Sequence, residues 1–129
     1  MIRVLNLDDD QDLLDIINLS LMVAGRFELI QCQSGPEAIA AAPDFAPDIL
    51  LLDVMVPGMS GPEVLQAIRA LPGLGSVPAI FLTASVQRDE VEGFLEHGAS
   101  AVIPKPFDPM TLGTQIEAVL QKDRMRLSA

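Results

Sequence analysis

Residues 49–53 read Ile49-Leu50-Leu51-Leu52-Asp53 and lead straight into Val54-Met55-Val56-Pro57-Gly58. Four aliphatic residues closed by a carboxylate, then by proline and glycine, describe a short strand covered on both faces. Such strands lie inside parallel sheets. A carboxylate at the carboxyl end of one opens into the crevice where doubly wound sheets hold their ligands. The same pattern recurs on either side. Val4 to Leu7 ends in Asp8-Asp9-Asp10, and Ala101-Val102-Ile103-Pro104 ends in Lys105. Acids and one base at the ends of separate strands point to a site for a cation and a phosphoryl group.

Strand-like and helix-like segments alternate along the whole chain, five of each. The first strand starts at residue 2, the second spans Phe27 to Cys32 and the fourth Ala79 to Leu82. The first helix reads Gln11 to Val23, with Leu13, Leu14, Ile16, Ile17, Leu21 and Met22 as a broad apolar stripe, and Gly25 ends it. Ser34-Gly35-Pro36-Glu37 and Ser60-Gly61-Pro62-Glu63 open the second and third helices as capping boxes, with serine and glutamate satisfying first-turn donors. The fourth helix runs from about Gln87 to His97, before Gly98. The fifth opens at Asp108-Pro109, an N-cap followed by proline at the first helical position, and continues to about Gln121. Alternation with linkers of a few residues predicts a parallel sheet with helices on both faces.

At 129 residues this is one domain, large enough to bury roughly two thirds of its unfolded surface without staples. Half the residues are hydrophobic and there is neither Trp nor Tyr, so the core is aliphatic. The formal charge of −10 argues against direct nucleic-acid contact, where Lys and Arg must neutralise phosphates. It suits capture of divalent cations or meeting basic partner surfaces. Cys32 stands alone in a predicted strand and is read as a buried, inert thiol, which fits a reducing cytoplasm. No apolar stretch approaches the ~18 residues that span a bilayer, so no membrane insertion is expected. With a first strand that starts at residue 2 and runs into three aspartates, neither a secretory leader nor a location outside the cytoplasm is expected.

Asp8, Asp9 and Asp53 meet if the first and third strands are neighbours. Crowded carboxylates resist ionisation unless a cation is present, and oxygen-only ligands suit Mg²⁺, which binds through one or two carboxylates plus phosphate. Asp10 is read as a helix cap. Thr83 follows the fourth strand, where its hydroxyl can donate to a phosphoryl oxygen beside small Ala84. Lys105 lies between Pro104 and Pro106, which fix the backbone and aim the ammonium; a cis Lys105–Pro106 bond fits this stretch. His97, the only histidine, is read as favouring the end of its helix through the dipole rather than as a phosphotransfer residue. Asn6, a polar residue inside an apolar strand, is expected either to hydrogen-bond to a neighbouring loop or to lie in a partly wet strand.

Asp8-Asp9, Asp53 with Pro57-Gly58, Thr83-Ala84 and Lys105-Pro106-Phe107 together resemble the receiver domain of bacterial two-component response regulators. The match covers about residues 2–121, and five motifs in order on matching strand ends are far more specific than any one. The resemblance implies an α/β, flavodoxin-like (βα)5 three-layer sandwich with a parallel five-stranded sheet of order 2-1-3-4-5. It implies a receiver at residues 1–122 with a tail at 123–129. It further implies that Asp53 is the phosphoacceptor, taking its phosphoryl group from a sensor histidine kinase, a histidine phosphotransfer protein or a small donor such as acetyl phosphate. Asp9, Asp53 and the backbone carbonyl of Met55 would hold Mg²⁺, with Asp8 acting mainly through a bound water, while Thr83 and Lys105 cover the phosphoryl oxygens. The family couples its threonine to an aromatic residue three positions before the lysine; here that position is Val102. A downstream protein target is expected on the face of the fourth helix, fifth strand and fifth helix. The chain looks like a stand-alone receiver, although a receiver cut from a longer protein would read the same.

Two other readings compete. Leu7-Asp8-Asp9-Asp10 superficially fits the aspartate motif of haloacid-dehalogenase-type phosphatases, but Gln11 sits where that family prefers Thr or Val, and Asp53 is left without a role. A degenerate receiver that binds partners without phosphorylation is disfavoured because every expected phosphorylation residue is present. A Rossmann-type nucleotide turn is excluded, since no glycine precedes Gly25.

Overall fold

In the computed structural model, which describes residues 1–85 and 87–128, the strands β1 (Ile2–Leu7), β2 (Phe27–Cys32), β3 (Ile49–Asp53), β4 (Ala79–Thr83) and β5 (Ala101–Pro104) are all parallel. They form one sheet of order β2-β1-β3-β4-β5. The connecting helices are α1 (Gln11–Ala24), α2 (Gly35–Phe45), α3 (Gly61–Arg69), α4 (Arg88–Glu96) and α5 (Leu112–Ser128). The flavodoxin-like architecture expected from the resemblance is therefore present. Among the described residues, no helix is long and apolar enough to cross a membrane.

Strand alternation splits the core in two. Leu5, Leu7, Leu50, Leu52 and Phe81 face Ala38, Val64, Leu65 and Ile68 of α2 and α3. Val4, Ile49, Leu51, Ile80, Leu82 and Ile103 face Ile17, Leu21, Ile116 and Leu120 of α1 and α5. Every residue of β3 and β4 is buried, which is why those strands read as unbroken apolar runs.

Helix ends follow local chemistry. Asp10 caps α1 by accepting from the amides of Asp12 and Leu13, and Gly25 closes it in the left-handed region at φ 78°. Ser60 and Glu63 form a complete capping box on α3. At α2, Ser34 accepts from Glu37 N–H as expected, but the Glu37 carboxylate reaches past the cap to the Gln33 amide, so the box is not closed.

The fifth helix departs from the expected bounds. Asp108 does accept a backbone amide, but that of Met110, and Thr111 N–H bonds to the Asp108 carbonyl. Asp108-Pro109 thus builds a turn, and the helix starts later, at Leu112. It also runs on past Gln121 to Ser128, with Asp123 and Arg126 paired at 3.0 Å along its last turns. Asn6 corrects a second expectation. It is fully buried, and its partners are neither a loop nor solvent: its amide donates to Leu51 O of β3 at 3.1 Å and its oxygen accepts from Gln31 of β2 at 3.0 Å.

Candidate phosphoryl and cation site

Three strand ends deliver the site. β1 and β3 are adjacent, with Leu7 registered against Leu52, so Asp8 and Asp53 emerge side by side at the carboxyl edge of the sheet. β5 runs beside β4, where Thr83 registers against Pro104 and Lys105 N–H bonds to Thr83 O at 2.8 Å. From there the Lys105 side chain crosses the edge of β4 towards the acids. Its Nζ lies 3.2 Å from Asp8 Oδ2 and 3.1 Å from Asp53 Oδ1. The Lys105–Pro106 bond is cis.

Asp8 is fully buried, Asp53 nearly so, and Asp9 is exposed. Each offers a carboxylate oxygen, and these oxygens all lie within 4.8 Å of one another. An oxygen-only donor set of this spacing fits a hard divalent cation. Further bonds fix the acids: Asp8 Oδ1 accepts from Asp10 N–H at 3.0 Å, and Asp53 Oδ1 from Met55 N–H at 3.3 Å. The Met55 side chain projects into solvent at the lip, 80% exposed. Thr83 is buried, and its Oγ1 accepts from Ser85 N–H at 3.1 Å, which leaves the hydroxyl proton available.

The electrostatics match the crowding. Burial, with the charge of Asp53, raises the Asp8 carboxyl above its ordinary 3.8 although the Asp10 amide and Lys105 pull it down. Burial alone would weaken the Lys105 ammonium, but the hydrogen bond and charge of Asp53, joined by Asp8, outweigh it and hold the lysine above its ordinary 10.5. One cation thus neutralises part of a three-carboxylate cluster.

Every residue singled out in the sequence for this chemistry stands at or beside this edge. Three supports gain their partners only from the structure. Gly61 sits so close that an added Cβ would lie 2.7 Å from the Asp53 carbonyl oxygen. Its repeated Ser-Gly-Pro-Glu setting carried only the helix start. Asn6 ties β1 to both neighbours beneath the acids. Phe94 of α4 meets Phe81 of β4 edge to face, with ring centroids 5.6 Å apart. His97 lies at the C-cap of α4, its Nδ1 2.7 Å from Gly93 O, where the helix-end reading placed it.

A doubly wound parallel sheet that gathers three acids and a lysine at its carboxyl edge defines a class of α/β domain with a site suited to a cation and a phosphoryl group. The comparisons with known proteins narrow it. The family model of the response regulator receiver domain matches residues 4–117, and the chain belongs to that family. The DNA-binding response regulator MtrA of Mycobacterium tuberculosis is 36% identical over 121 residues, covering 94% of this chain and 51% of that protein. The phosphate regulon transcriptional regulatory protein PhoB of Pseudomonas aeruginosa is 34% identical over 119 residues, covering 92% and 52%. The chain therefore spans about half the length of the curated relatives it matches. The chemotaxis response regulator CheY4 of Vibrio cholerae superposes with a TM-score of 0.85 at 29% identity, covering 92% of this chain and 98% of that one. Receiver domains take phosphate from histidine kinases and use Mg²⁺ at an acidic pocket.

Proposed function

We propose that this chain is a phosphorylation-dependent switch in which Asp53 accepts a phosphoryl group and residues 1–122 form the signalling unit. The observation that carries this reading is the Lys105 ammonium, bonded at once to Asp8 and Asp53 from a third strand. The donor is a phosphohistidine on a sensor kinase or phosphotransfer protein, or a small acyl phosphate. An Asp53 oxygen attacks phosphorus in line as the donor's nitrogen or oxygen leaves, and the site is built for positioning and charge neutralisation.

Asp9, Asp53 and the Met55 carbonyl would hold Mg²⁺, with Asp8 contributing through water. When bound, the ion supplies positive charge against the phosphoryl oxygens. Lys105 shifts from the unphosphorylated carboxylates to the incoming phosphoryl group, and Thr83 donates its free hydroxyl proton to it. The acyl phosphate formed is labile, so the same site returns it to water. Exposed Met55 and half-buried Ser85 govern how readily water enters. The output is a changed contact with a downstream protein on the α4–β5–α5 face. The net charge of −10 argues against direct nucleic-acid contact by this domain.

Intact-protein mass after incubation with acetyl phosphate tests the reading. A single phosphoryl adduct is expected with Mg²⁺ and lost with EDTA or in Asp53→Ala. An adduct that survives Asp53→Ala, or none in the wild type, would refute it.

A further inference from the structure

We infer that Phe94 is the side chain through which the phosphoryl site moves α4. This rests on the reading of Asp53 as phosphoacceptor and adds how its state leaves the site. Side chains two apart on a strand share a face, so Phe81 and Thr83 point to the same side of β4. Phe81 is fully buried and registers against Val102 of β5. Val102 is small and leaves the layer over Phe81 to a ring from above. That ring is Phe94, which meets Phe81 at an interplanar angle of 81°. One solvent-open groove of about 700 Å³ borders both Thr83 and Phe94, with Val54, Ala84 and His97 also in its wall.

The helix that carries the ring is loosely attached. Among the described residues, α4 has none that is buried, whereas α3, of equal length, has four. Its N-cap, Gln87, makes no side-chain cap bond. Phe94 is the α4 side chain packed against the core cluster under α2 and α3. A helix whose packing on that cluster, among the described residues, is one ring follows that ring. When Thr83 turns towards phosphoryl oxygens it leaves the groove wall, and the largest apolar side chain in that wall moves into the space. Phe94 then shifts against Phe81, and α4 shifts with it. The aromatic that senses Thr83 thus comes from the helix rather than from β5.

Fluorine NMR on protein carrying 4-fluorophenylalanine at its five Phe positions reads this directly. Phe94→Tyr removes one resonance and assigns it. Fluoroberyllate with Mg²⁺ serves as the phosphoryl probe, and its own bound fluorines report occupancy. The expected result is bound fluoroberyllate together with a shifted Phe94 resonance, while those of Phe27 and Phe45 stay in place. Bound fluoroberyllate with Phe94 unmoved overturns this inference and leaves the phosphoacceptor reading standing. No bound fluoroberyllate overturns both. In Val102→Phe a second ring competes for the layer over Phe81, so occupancy is retained and the Phe94 shift shrinks. An undiminished shift in that variant also overturns the inference.

Discussion

Lys105 shows most directly how one residue couples stability to chemistry. Its raised pKa means that its stabilising contribution is complete below 10.5 and disappears as pH climbs through the folded-state value. Asp8 works in the other direction. Its raised pKa means that ionisation is disfavoured in the fold, so stability falls as pH rises from 3.8 through the folded-state value. Lys105→Met leaves two carboxylates without their cation and is expected to cost about 2 kcal/mol at neutral pH, less than the roughly 3–5 kcal/mol of a fully buried pair because the lysine retains some solvent contact. The deficit should narrow in acid as Asp8 takes up its proton. Urea melts in EDTA at both pH values measure this, and equal deficits would contradict it. Cys32 makes a simpler case. Burial, with the charge of Glu37, pushes its thiol up to about 11 from 9.0. The neutral-pH thiolate fraction then falls about a hundredfold. Iodoacetamide should label the native chain slower than the unfolded one by at least that factor, and comparable rates would exclude an inert thiol.

Elements explain which parts of the fold the chain announces in advance. β3 and β4 are legible because each is buried on both faces and therefore continuously apolar. The site is legible for the same reason, since a charged residue ending such a run has few structural uses. The start of α5 was not legible, because an aspartate followed by proline suits both a helix cap and a turn. Asp108 bonds two residues ahead and makes the turn. Its far end stays open between extension and fraying in the sequence because the stretch after Gln121 is polar and charged, and the Asp123–Arg126 pair that lies along its last turns is a contact of the folded helix. The partners of Asn6 required the strand order before they had meaning. Gly61 illustrates a constraint between elements. A methyl there meets the Asp53 carbonyl oxygen at 2.7 Å and Val54 Cα at 3.1 Å, both main chain and neither free to yield. Gly61→Ala should lose about 1–3 kcal/mol and slow acetyl phosphate labelling by displacing Asp53. Gly75→Ala is the control, since its nearest neighbour would be the Arg69 carbonyl oxygen at 3.7 Å. Equal melting curves for the two variants would remove Gly61 from the support of the site.

At the scale of the molecule, the acidic cluster is a standing electrostatic liability that a bound cation relieves. Mg²⁺ at a hundredfold excess over its Kd should add about 2.7 kcal/mol to unfolding stability, by binding the folded chain alone. Asp53→Ala, which removes a proposed ligand, should gain much less. Thermal melts titrated with Mg²⁺ and reversed with EDTA decide it, and a full gain in Asp53→Ala would place the ion elsewhere.

The strand order has a consequence for how the molecule is made. Of the five strands β1 leaves the ribosome first, and it ends inside the sheet, between β2 and β3. β2 closes one side of it, β3 pairs with its other side, and β4 and β5 then each add next to the strand synthesised just before. Synthesis therefore extends a template at a single advancing margin, and no late strand has to be threaded between two early ones. Both main acids, Asp8 and Asp53, are in position by the third strand. The lysine that quiets them arrives only with the fifth. A nascent chain paused in between carries both carboxylates, without their counterion, beside an open sheet margin, the state in which this sequence is most exposed to mispairing.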